Sequence, residues 1–160
     1  MDILDFAMQM EKDGETFYRR LADECEDNGL ARVIVILADA ETRHYNALRE
    51  MKESGTGESS RGTIRTDVRN IFREMLDQDS HLMSAASSQA DLYREAIKIE
   101  EKSRQFYQEE AGRADAPQVK RLLRQLAEEE QLHVQMFTSI LDLVSQPISE
   151  NWLERAGWNT

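Results

Sequence analysis

The chain of 160 residues contains a single cysteine, Cys25, two prolines and seven glycines. One cysteine excludes an intramolecular disulfide. It also excludes a thiolate zinc ribbon, a rubredoxin-type iron centre or an iron–sulfur cluster built by this chain alone. So few prolines and glycines argue against an all-β sandwich, which needs many turns, and favour long helices. Basic residues are scarce: 20 Lys and Arg stand against 31 Asp and Glu, for a net charge of -11. That balance opposes nucleic acid and an anionic membrane as main partners. Long apolar runs are missing, and Val33 to Ala38 is far too short to span a membrane. The opening MDILDFAMQMEKD lacks the basic start of a secretory signal, so the expected compartment is the cytoplasm.

What is present is helical periodicity. Residues 2–28 set Ala7, Met8, Gly14, Tyr18, Leu21, Ala22 and Cys25 on one stripe, interrupted by Glu11. Asp2 reads as an N-cap, and Asn28-Gly29 as a stop and restart. Residues 30–53 continue with Leu30, Val33, Ile34, Leu37, Glu41, His44, Leu48 and Met51. A flexible loop is expected at 54–63. Residues 64–78 form a shorter helix with Val68, Ile71, Phe72, Met75 and Leu76 on one side. The serine-rich 79–88 reads as a bend or weak helix start. Long helices follow at 89–113 and 118–145, broken at Ala114 to Pro117, and Pro147 ends the pattern. The expected architecture is all-α: a four-helix bundle over 1–145, made of two helical hairpins joined by a long crossover, 54–88, that carries a short helix. A short helical tail, 146–160, contains Trp152 and Trp158, which need a docking surface on the bundle or on a second chain.

The two hairpins are copies. At an offset of 89 residues Glu11 falls on Glu100, Phe17-Tyr18 on Phe106-Tyr107, and Ala22 on Ala111. Leu37-Ala38 falls on Leu126-Ala127, Glu41 on Glu130 and His44 on His133, without a gap. Two units make a duplicated hairpin rather than a solenoid.

The repeat carries chemistry. Glu11, Glu41, Glu100 and Glu130 all fall in the apolar seam, where a solvated Glu would not lie. Burying a carboxylate costs several kcal/mol even after relaxation, and the core-facing stripes offer no Lys and at most Arg104 nearby. They do offer His44 and His133. Glu-x-x-His puts both side chains on one helix face, about one turn apart. Two such pairs and two single glutamates make six ligands, and four carboxylates balance two divalent ions. One Glu from each of two helices and Glu-x-x-His from each of the other two is the ligand set of di-iron and di-manganese carboxylate bundles. Oxygen-rich ligation with two imidazoles suits iron or manganese, while zinc or cobalt can bind adventitiously. The competing reading is a bundle whose polar seam fixes register only.

The strings EKDGETFYRRLA with LADAETRH, and EEKSRQFYQEEA with LAEEEQLH, resemble the rubrerythrin-like branch of the ferritin-like superfamily, over nearly the whole chain to about residue 144. The resemblance implies a carboxylate-bridged di-iron centre. Glu41 and Glu130 would bridge the metals, Glu11 and Glu100 would be terminal ligands, and one His would serve each iron. Tyr18 and Tyr107 would be hydrogen-bond donors to ligand carboxylates, against the alternative of core aromatics with incidental hydroxyls. It further implies reduction of hydrogen peroxide or dioxygen, and a homodimer is the expected assembly. Two departures matter. Rubrerythrins proper carry a rubredoxin domain that delivers electrons, and this chain has no Cys-x-x-Cys, so an external donor such as a rubredoxin-like protein is implied. They also carry an extra Glu three residues after the first ligand of the third helix, where this chain has Ser103. Alternatives are a ferroxidase that feeds an iron store, or a non-catalytic bundle. Outside the ligand set, His81 is expected at the surface and Cys25 as a small buried hydrophobe. Met8 and Met51 read as core filler, and Glu128 and Glu129 as a solvated acidic face.

Overall fold

The computed structural model describes residues 2–60, 62–78, 89–145 and 152–158. The expectations for 79–88, including His81, for Pro147 and for 149–151 lie outside the described residues. Six helices are seen among those described: α1, Ile3–Glu24; α2, Asn28–Ser54; α3, Ile64–Gln78; α4, Ala90–Arg113; α5, Pro117–Ser145; and α6, Trp152–Arg155. No strand occurs among the described residues. No helix there is long and apolar enough to cross a membrane.

The helix ends have local causes. Asp2 caps α1 by accepting the Leu4 N–H at 2.9 Å. Helix α1 stops at Glu24, short of the expected 28, because the chain turns extended at Cys25 and Asp27 caps α2 by accepting the Leu30 N–H at 2.9 Å. Gly29 therefore sits inside the first turn of α2 and is no stop signal. A Cβ there would lie 2.4 Å from Met75 Cγ, so the glycine lets α3 press against α2. Gly55, with φ of 75°, closes α2 in the left-handed conformation and gives its N–H to the Met51 carbonyl. Pro117 opens α5 instead of belonging to the break before it, since the first helical turn needs no N–H from that residue.

The four long helices run up, down, down, up. The C-terminal half of α1, the N-terminal halves of α2 and α4, and the C-terminal half of α5 share one apolar cluster. The opposite halves share a second, with Leu4, Ala7, Leu48, Met51, Ala111, Leu122 and Leu126. Helices α2 and α4 thus run parallel, and only a long crossover can return the chain to the end where α4 begins. Helix α3 lies in that crossover and buries Ile64, Val68, Ile71, Phe72 and Met75. Gln89 ties the start of α4 to the end of α1, donating to the Glu24 carbonyl at 3.1 Å while accepting from the Tyr93 hydroxyl at 2.9 Å.

The tail docks on its own bundle. Trp152 and Trp158 are buried, and both rings meet Phe72 of α3 edge-on, at 5.4 and 5.3 Å between centroids. Their indole N–H groups donate to Asp142 at 2.7 Å and Ser139 at 2.8 Å on α5. Arg65 of α3 lies over the Trp158 ring and donates to the Gly157 carbonyl and to Gln135. The tryptophans thus fasten the crossover helix to α5 and leave the homodimer without an argument from the tail. Replacing Trp158 with Ala should cost about 3–5 kcal/mol in urea unfolding; a loss below about 1 kcal/mol would show that the tail is not part of the cooperative core.

Candidate metal centre

Between the two apolar clusters lies one polar layer. Helix α1 brings Glu11 to it, α2 brings Glu41 and His44, α4 brings Glu100, and α5 brings Glu130 and His133. None of the six is more than 4% exposed. Each Glu-x-x-His pair spans one helical turn, so carboxylate and imidazole emerge from the same face. The two imidazoles, one from each repeat, stack at 5.5 Å with their planes 9° apart.

The donor atoms form two groups. Glu11, Glu41, His44 and Glu130 converge in one, and Glu41, Glu100, Glu130 and His133 in the other, each within 4.8 Å. Donors around one ion at a radius of about 2.1 Å span at most about 4.2 Å, so each group needs little contraction to hold a cation. Glu41 and Glu130 belong to both groups. His44 Nδ1 stands 3.0 Å from Glu130 Oε1 and 3.4 Å from Glu11 Oε1. His133 Nδ1 stands 3.5 Å from Glu100 Oε2, 3.6 Å from Glu41 Oε1 and 3.7 Å from Glu130 Oε2.

A metal fits this set by a direct test. Seven of the ten buried side-chain atoms that make no aligned hydrogen bond among the described residues belong to this set: Glu11 Oε2, Glu41 Oε1, Glu100 Oε2, both Glu130 oxygens, and the Nδ1 atoms of His44 and His133. Two of these carboxylates are held at their other oxygen. Tyr18 donates to Glu100 Oε1 at 2.6 Å, and Tyr107 donates to Glu11 Oε1. Each tyrosine reaches across to the carboxylate of the other repeat. Tyr18 belongs to one apolar cluster and Tyr107 to the other, so they bound the layer from opposite sides. Burial raises both phenols well above their usual pKa and the nearby carboxylates add to this, so both remain donors. Unsatisfied buried acceptors are costly, and their common direction inward is what a bound cation requires.

No Lys or Arg among the described residues forms an ion pair with these carboxylates. Arg104 stays off the layer, lining an open groove of about 570 Å³ between α4 and α5 with Arg124 and Glu128. Ser103 is half-buried one turn beyond Glu100 and offers no carboxylate there. Its repeat mate is Gly14, where a Cβ would lie 3.1 Å from Glu41 Oε2, so the glycine leaves room for that carboxylate. Cys25 is half-buried beside the Tyr93 hydroxyl at 3.9 Å, and burial pushes its thiol up.

Glu128 is exposed, but Glu129 corrects the expectation of a solvated face. It is 4% exposed, and its Oε1 lies 3.2 Å from His44 Nε2. The sequence held a signal for it. Leu122, Glu129, Met136 and Leu143 recur every seven residues and are all buried, a second inward stripe on α5.

Protonation holds the layer together without metal. Burial raises the Glu41 carboxyl well above its usual range, and the charges of Glu11 and Glu130 raise it further. Burial alone would lower His44, but Glu11, Glu129 and Glu130 around it raise it well above the usual histidine value. Burial likewise works against ionisation of Glu130, yet the His133 and His44 imidazoles beside it hold it down, to about 2. Both shifts favour a bound proton on Glu41 and on His44 when no metal is present.

A family model described as Rubrerythrin matches residues 2–77 and 91–155. No curated protein and no solved structure matches the chain.

Metal must displace the protons on Glu41 and His44, both of which bind protons more tightly than usual. Affinity for a divalent ion should therefore fall as pH is lowered, with net proton release on binding. Calorimetry in buffers of different ionisation enthalpy measures that release. Binding without proton release would contradict this account of the layer.

Proposed function

Because the chain belongs to the rubrerythrin family, we propose that it is a di-iron carboxylate oxidoreductase that reduces hydrogen peroxide, or dioxygen, with electrons from an external donor protein. The observation that carries the reading is the pair of donor groups sharing Glu41 and Glu130. Two imidazoles among carboxylates suit iron, with manganese as the nearest substitute. When bound, the iron pair supplies the electrons for the reduction.

The chain's own residues set the conditions. Glu41 and Glu130 belong to both donor groups and would hold both ions. Tyr18 and Tyr107 hold Glu100 and Glu11 by their outer oxygens and leave the inner ones free. The apolar clusters on either side exclude water and strengthen every charge interaction in the layer. A chain with one cysteine has no dithiol of its own for electron delivery, which is why an external donor is part of the proposal.

One observation favours a second reading, a ferroxidase that handles iron. Ser103 stands where rubrerythrins carry the extra carboxylate associated with their peroxide chemistry. Anaerobic loading with ferrous iron, followed by stopped-flow mixing with peroxide or dioxygen, separates the two. Saturation at about two irons per chain with much faster oxidation by peroxide is expected. Faster reaction with dioxygen and continued turnover beyond that stoichiometry would establish the ferroxidase. Substituting Glu130 with Ala should abolish saturable binding of the pair; unchanged binding would overturn the di-metal reading.

A further inference from the structure

The ligand set is twofold under the repeat, and its surroundings are not. On the His44 side, Glu129 Oε1 lies 3.2 Å from His44 Nε2, within a fully buried environment. The repeat-related position is Ala40, which is 0% exposed and has no polar side chain. The carboxylate that faces one imidazole is therefore replaced by a methyl group beside the other.

We infer that Glu129 is a positioning residue that makes the two metal positions unequal, so that the position formed by Glu11, Glu41, His44 and Glu130 fills before the position at His133. The inference rests on the di-metal reading above. A carboxylate on the outer nitrogen of an imidazole fixes the tautomer and the ring orientation. Here it requires Nε2 to carry the hydrogen and turns Nδ1 toward Glu11 and Glu130. It also makes the imidazole a stronger donor to a cation. Charge acts in the same direction. The four ligand carboxylates balance two divalent ions, so Glu129 adds a negative charge on the His44 side alone. The second Glu129 oxygen is buried without an aligned partner, and Ser59 of the crossover loop is the other group beside this carboxylate. The loop thus covers the flank that Glu129 occupies.

The experiment titrates the full-length, metal-free protein with cobalt(II), read by visible absorption and by calorimetry. Wild type, Glu129→Ala and Glu129→Gln are compared, and crystals loaded with one equivalent are examined by anomalous diffraction. Wild type should take up two ions in two steps, with the first anomalous peak beside His44. Glu129→Ala should weaken that step about 10–100-fold and leave the other unchanged. Glu129→Gln keeps the acceptor oxygen and loses the charge, so it should weaken the same step by a smaller factor. Should Glu129→Ala fail to fold by circular dichroism, the isosteric Glu129→Gln decides: a loss confined to the His44 position supports the inference. Equal loss at both positions, no loss at either, or a first ion beside His133 overturns it. Failure of wild type to bind a pair at all is a different outcome, and it overturns the di-metal reading together with this one.

Discussion

Seven buried donor atoms that face one another without hydrogen-bond partners are the constraint on which the rest of this structure depends. Four carboxylates in an apolar bundle would repel each other and lose their hydration. They can stay only if positive charge joins them, as protons, as metal, or as both in turn. No lysine or arginine among the described residues takes that part. The duplicated hairpins therefore place two imidazoles there, each one turn from a carboxylate. One oxygen of Glu11 and one of Glu100 are held by tyrosines, while the other oxygen of each is left without a hydrogen bond.

Such a layer destabilises the chain that carries it, so stability must come from elsewhere. It comes from the apolar clusters above and below, each built from all four long helices. The cluster at the α3 end is enlarged by the crossover helix and the tryptophan tail. Phe72, Trp152 and Trp158 stack there edge-to-face, and both indole N–H groups have acceptors on α5. Structure outside the four-helix core thus adds to burial well away from the polar layer. The site can then keep its unsatisfied atoms without undoing the fold.

Much of this was legible in the sequence, for identifiable reasons. The helix period and the 89-residue offset together put four glutamates and two histidines in one seam, and the structure brings those six together. The crossover helix was legible because its stripe of Val68, Ile71, Phe72 and Met75 is strictly amphipathic. Less legible were features set by tertiary packing. Gly29 looks like a helix breaker from its neighbours, yet it answers to Met75, which lies 46 positions along the chain. The tail gave no local sign of whether it would dock on its own bundle, because aromatic content identifies a need for burial and not its location. Glu129 was missed because it adjoins a ligand and lies about 100° around the helix from it. On a helix buried on one stripe that angle means solvent. Helix α5 is buried over a wider arc, and there the same angle points inward.

The duplication therefore explains what the two halves share, and the positions where they diverge explain what distinguishes them. On α1 and α2, Arg19 bonds Glu15 and Asp39 while Thr42 donates to Glu15, closing the groove between the helices. The repeat mates of Glu15, Arg19, Asp39 and Thr42 are Arg104, Gln108, Glu128 and Gln131, and these line an open groove instead. Gly14 makes space for Glu41, whereas its repeat mate is Ser103, which carries a side chain. Glu129 gives His44 a further carboxylate at Nε2, and the repeat mate of Glu129 is Ala40, which has none to offer. None of these differences replaces one of the six layer residues, so that set is common to both repeats. A layer whose six side chains follow the repeat while its supports do not has two unlike halves. The asymmetry lies in residues that the repeat itself would have made equal.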